Sequence, residues 1–111
     1  MSKKDPKLAL LHMRDFARDV IEITRNRTRA DMDTDRLFNL ALARLIELIG
    51  EAATRIPVEE RARMSGIPWP KLIGMRNRLI HGYDFIDQDV IWETTTEDIP
   101  VLIKVLETIL N

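Results

Sequence analysis

Five side chains in one short stretch carry the groups needed to grip a phosphodiester and move a proton beside it. Within RNRLIHGY, at positions 76–83, stand Arg76, Asn77, Arg78, His81 and Tyr83. Imidazole titrates near neutrality, which suits His81 to general acid–base work. A guanidinium can hold a phosphate through two parallel hydrogen bonds and stabilise charge that builds on it, a role open to Arg76. Asn77 precedes His81 by four residues and shares its helix face, so it could orient the imidazole or bind substrate. Arg78 either adds phosphate affinity or points outward as a structural residue. The other histidine, His12, falls inside an amphipathic helix and reads as a surface or core residue.

Helical geometry constrains how these groups can cooperate. At about 100° per residue, Arg76 and His81 are separated by about 500°, which leaves them about 140° apart around a straight helix. They cannot both reach one phosphate from its middle. Either the helix breaks before His81, or an arginine and a histidine from two chains meet at an interface. Arg76 and Tyr83 differ by nearly two full turns and would align on a helix that continued so far.

The elements that must position them are helical. Asp5 before Pro6 predicts a capped start, and Met13, Phe16, Ala17, Val20 and Thr24 continue the helical spacing to about Thr28. The polar RTRADMDTD segment at 27–35 reads as a loop, with Asp33 or Thr34 capping a second helix that ends near Arg55, before Pro57. That second helix is apolar almost all round. Only Arg44, Glu47, Glu51 and Thr54 form a polar stripe, so two of its faces must be buried, one of them preferably against a second copy of the chain. A short helix over 58–64 stops at Ser65 and Gly66. Pro68, Trp69 and Pro70 open a third major helix that Gly82 terminates. Asp87 caps a turn at 90–92, and Thr96 or Asp98 starts a last helix with Pro100 in its first turn. Only the Thr94–Thr95–Thr96 run has β-branched density. The predicted fold class is all-α, an antiparallel bundle of four main helices in a single domain, 1–111.

Composition excludes several functions. The chain has 111 residues and no cysteine, so neither a disulfide framework nor a thiolate metal site exists, as suits a cytoplasmic protein. The start lacks the unbroken apolar stretch of a signal peptide, and no run spans a bilayer. A net charge of −1 means that RNA contact needs a local patch. The densest basic groups, Arg25, Arg27 and Arg29, then Arg55, Arg61 and Arg63, read as solvated helix ends. Asp84, Asp87 and Asp89 lack companion histidines and read as capping groups rather than metal ligands.

RNRLIHGY matches the Arg-x4-His-x-Tyr motif of the HepT-like toxins, a branch of the HEPN superfamily. IGEA at 49–52, IPW at 67–69, ID at 86–87 and IW at 91–92 follow that branch in the same order. The resemblance covers the chain from about Leu37 onward. It implies a four- or five-helix HEPN bundle that dimerises through the apolar second helix and the motif region. It further implies a metal-independent ribonuclease without a cofactor, with Arg76 and His81 acting on an RNA phosphate between subunits. Its implied partner is an MntA-like nucleotidyltransferase antitoxin, which transfers AMP from ATP to Tyr83 and silences a type VII-like toxin. The alternative is a non-enzymatic helical dimer that holds the nucleotidyltransferase or binds a nucleotide.

Overall fold

A computed structural model describes residues 5–82 and 86–110. Every regular element among them is helical: α1 (Pro6–Thr24), α2 (Asp31–Thr34), α3 (Arg36–Thr54), α4 (Val58–Arg63), α5 (Trp69–Gly82), α6 (Gln88–Glu93) and α7 (Ile99–Leu110). A π-helical turn, Thr94–Asp98, joins α6 to α7 without a break. The long elements therefore reduce to α1, α3, α5 and one composite rod, the expected all-α bundle. No described helix is long and apolar enough to cross a membrane.

Helix α3 runs through the middle, against α1 on one side and α5 on the other, while α7 lies along α1. This position explains most of its apolar circumference. Leu42, Ile46 and Ile49 of α3 join Met13 of α1, Leu72 of α5 and Leu102 of α7 in a fully buried core. Each such side chain contributes about 1.5–3 kcal/mol on leaving water. Part of the apolar excess that suggests a second chain is thus satisfied within one chain. The remainder lies at the start of α3, where Leu37 is 79% exposed and Leu40 and Ala41 are also exposed.

Local chemistry moved several boundaries. Asp5 caps α1 as expected, accepting from the Lys7 amide at 2.9 Å. Yet α1 ends at Thr24, because Asn26 adopts φ 62°, a left-handed conformation that asparagine tolerates and that stops a helix. The polar segment holds the single turn α2, nucleated where the Asp31 carboxylate accepts from the Thr28 amide at 2.7 Å and anchored by buried Met32. The cap of α3 is Asp35, not Asp33 or Thr34; its carboxylate accepts from the Phe38 amide at 3.1 Å. Buried Asn39 donates to the Met32 carbonyl and to Gln88, tying α2 and α6 to α3. The threonine run forms no strand. Thr94, Thr95 and Thr96 each donate a hydroxyl to the carbonyl four residues back, at 3.0–3.1 Å. Such back-bonding loosens a helix, and here the Ile99 amide reaches five residues back to the Thr94 carbonyl.

Candidate functional site

The start of α5 is locked before its chemistry begins. Ile67 and Trp69 are buried, and the indole N–H donates to the carbonyls of Arg61 and Met64, at 3.1 Å each. From there α5 continues unbroken through Gly82. A helix break before His81, one of the two ways in which Arg76 and His81 could share a phosphate, is therefore excluded. They stand about 140° apart on one helix.

Arg76 lies on the α3 side. Its stem passes over Gly50, where a Cβ would overlap the arginine's own Cβ and lie 2.7 Å from the Leu72 carbonyl oxygen. Glycine permits this approach of α5 to α3, and no larger residue fits. The guanidinium is then fixed from two directions. Nη2 donates to Glu51 Oε1 and Nη1 to Asn77 Oδ1, both at 2.8 Å. The Nε donor is buried with no partner. A buried orphan N–H costs about 1–3 kcal/mol, which argues against a purely stabilising role for this arginine. Asn77 thus holds Arg76, and among the described residues no hydrogen bond joins it to His81.

The opposite side of α5 is open. His81 is exposed in the last turn, beside a shallow cavity of about 260 Å³ lined by Arg78, His81, Gly82 and Ile86. Arg78 is exposed and forms no ion pair among the described residues. Tyr83 and Asp84 lie outside the described residues.

The other basic groups are mostly engaged. Arg25 pairs with Glu22, Arg63 with Glu60, and Arg27 with Asp35 while lying over the Phe38 ring. Arg29 bridges Asp33 and Asp89, and the Asp89 hydrogen bond holds its pKa above the ordinary arginine value. Arg61 donates to the Ile56 carbonyl. Asp87 caps α6. His12 makes a tilted ring contact with Phe16. Among the described residues no cluster of three metal-ligating side chains occurs.

Gly50 and Glu51 are the site residues that spacing arguments missed. Their signal was present as a glycine inside an apolar helix, followed at once by a carboxylate.

This bundle, with its Arg-x4-His motif on α5, matches the family model described as ribonuclease HepT-like over residues 13–109. The chain belongs to the HepT-like ribonuclease family, and the bundle is of the HEPN type. A protein of Methanocaldococcus jannaschii named "Putative RNase" is 35% identical over 98% of this chain and 100% of its own length. Another so named, from Caldanaerobacter subterraneus, is 36% identical over 97% of this chain and 96% of its own. The protein named "Probable ribonuclease HepT" from Thermococcus cleftensis is 40% identical over 73% of this chain and 74% of its own. No solved structure matches the chain.

Proposed function

We propose that the chain is the RNA-cleaving toxin of a toxin–antitoxin pair. It acts as a homodimer whose cleft brings Arg76 of one subunit to His81 of the partner subunit. The observation that carries this reading is the unbroken α5, with Arg76 seated against α3 and His81 exposed on the far side. An exposed apolar strip supports pairing with a second subunit. Leu37, Leu40, Ala41, Arg44 and Leu48 recur at helical spacing on the outer face of α3, and Ile80 of α5 is 41% exposed. In the composite cleft the RNA's own 2′-OH attacks the adjacent phosphorus and the 5′-oxygen leaves. His81 assists proton transfer, and Arg76 neutralises the crowded phosphate with its remaining N–H groups. Asn77 positions Arg76, Arg78 adds phosphate affinity, and the scheme requires no metal.

Mixing two inactive variants tests the composite site. Arg76→Ala and His81→Ala homodimers each lack one half of every site, whereas their heterodimer retains one complete site. Random mixing should restore about a quarter of wild-type cleavage. No recovery from verified heterodimers would reject the shared site. Full cleavage by a folded His81→Ala dimer would favour a binding module instead.

The partner proposed for this toxin is a nucleotidyltransferase antitoxin. It transfers AMP from ATP to the Tyr83 hydroxyl and releases pyrophosphate. Tyr83 follows directly on Gly82, so an adenylate there sets bulk and negative charge beside His81 and repels RNA phosphates. Intact mass should rise by adenylate units with partner and ATP, and a Tyr83→Phe variant should show no rise.

A further inference from the structure

On the ribonuclease reading just given, we infer that the groove between α5 and the α6–α7 rod binds the single-stranded RNA flanking the cleaved bond. Lys71, Gly74, Arg78 and His81 follow one another at steps of three, four and three, so they form one stripe along about 15 Å of α5. Two cavities of about 260 Å³ each lie over that stripe. One includes Lys71, Gly74 and Arg78, the other Arg78 and His81. Arg78 belongs to both, and the run ends at the proposed catalytic imidazole.

Gly74 is the second observation. A Cβ built there meets nothing within 4 Å, in contrast to Gly50. Glycine inside a helix costs about 0.5–1 kcal/mol relative to alanine, and no neighbour here requires it. Its effect is to keep the groove floor low between two cationic side chains. The far wall includes the π-helical turn, a feature frequent at functional sites, which contributes Thr94 and Asp98. Asp98 holds Lys71 across the groove, with Nζ 3.6 Å from its carboxylate.

The lining fits RNA in particular. Arg78 and Lys71 supply phosphate contacts, while Glu93 and Asp98 present acceptors for ribose 2′-hydroxyls and base amino groups. Contacts to ribose hydroxyls and base amino groups suit a single strand, whose bases are free of pairing, better than a duplex. Ile80, on the proposed dimer face, stands about 160° from Arg78 and about 100° from His81 around α5, so pairing of subunits there leaves the groove beside Arg78 open and meets it only at its His81 end.

The test measures binding apart from cleavage. In a His81→Ala background, Gly74→Glu places bulk and negative charge in the groove between Lys71 and Arg78, at a position where the Cβ itself meets nothing within 4 Å. It should weaken a short fluorescein-labelled single-stranded RNA about tenfold or more by anisotropy. Unchanged affinity in a Gly74→Glu protein with an undiminished melting temperature overturns the groove. Equal affinity for a duplex of the same sequence also overturns it. If the wild-type protein cleaves no RNA, the ribonuclease reading fails, while the anisotropy difference still decides the groove by itself.

Discussion

The two sides of α5 treat their functional groups in opposite ways. Towards α3 the packing is so close that Gly50 can carry no side chain, and Arg76 is held by Glu51 and Asn77. Towards α6, Gly74 faces open space, and Arg78 and His81 stand exposed. A charge-stabilising group gains from being fixed before substrate arrives, since no reorganisation is then needed at the moment of reaction. A proton-transferring or substrate-gripping group must instead be reachable. On the proposed mechanism one helix serves both needs by dividing them between its faces, and the division is the reason for proposing that a second subunit completes the site.

The largest expected effect breaks the open side alone. His81→Ala should lower RNA cleavage by about 10²–10⁴-fold. Because the imidazole is exposed, the urea midpoint should move by no more than about 0.5 kcal/mol of equivalent stability. A large loss of stability would show that His81 is a structural residue and the two sides are not so different.

The two glycines sharpen the comparison directly. Gly50→Ala forces a methyl into the Leu72 carbonyl and the Arg76 stem, and should destabilise the fold by about 1–3 kcal/mol in denaturant unfolding. Gly74→Ala should stabilise it by about 0.5–1 kcal/mol, because the methyl meets nothing and the unfolded chain loses freedom. Changes of the same sign at both positions would contradict the contrast. Glu51→Gln acts on the closed side without adding volume. The pair is partly exposed, with side chains 26% and 34% accessible, so its loss should cost at most about 1 kcal/mol of stability. Cleavage should nevertheless fall about tenfold in kcat with KM nearly unchanged, as expected when Arg76 is no longer held in position. A matching fall in stability and none in kcat would make Glu51 a structural partner only.

The open side was the more legible in sequence. Residue type announces Arg78 and His81, and helical arithmetic alone shows that Arg76 and His81 diverge. The closed side depends on which helix crosses α5 at position 76, and periodicity carries no information on that contact. Glu51 therefore looked like one member of a solvated stripe until the structure set it against Arg76. The same limit applies to α3, whose apolar circumference is divided between α1, α5 and the exposed Leu37–Leu40 strip. Caps were legible where a side chain meets its own backbone, as at Asp5 and Asp87. They were misplaced where three neighbouring cap-forming residues compete, as at Asp33, Thr34 and Asp35. The threonine run, the one stretch with β-branched density, is helical as the all-α reading expected, but the hydroxyl back-bonding that opens its π-helical turn does not show in composition.

Asp35 provides the smallest expected effect and a control for both sides of α5, because it acts on α3 at its start, away from Gly50 and Glu51. The Phe38 amide and then the Arg27 guanidinium hold its carboxyl below the usual aspartate range. A depressed value in the folded state means that the carboxylate contributes stability at pH values above the unfolded value. That contribution fades as pH falls through the lower folded value. Asp35→Asn should therefore lower the melting temperature slightly at neutral pH, with the difference from wild type vanishing in strong acid. It should leave the cleavage rate unchanged at temperatures where both proteins are folded. A rate change at neutral pH would mean that the start of α3 reaches the proposed cleft, as it would if the Leu37–Leu40 strip on the proposed dimer face set the distance between Arg76 and the His81 of a second subunit.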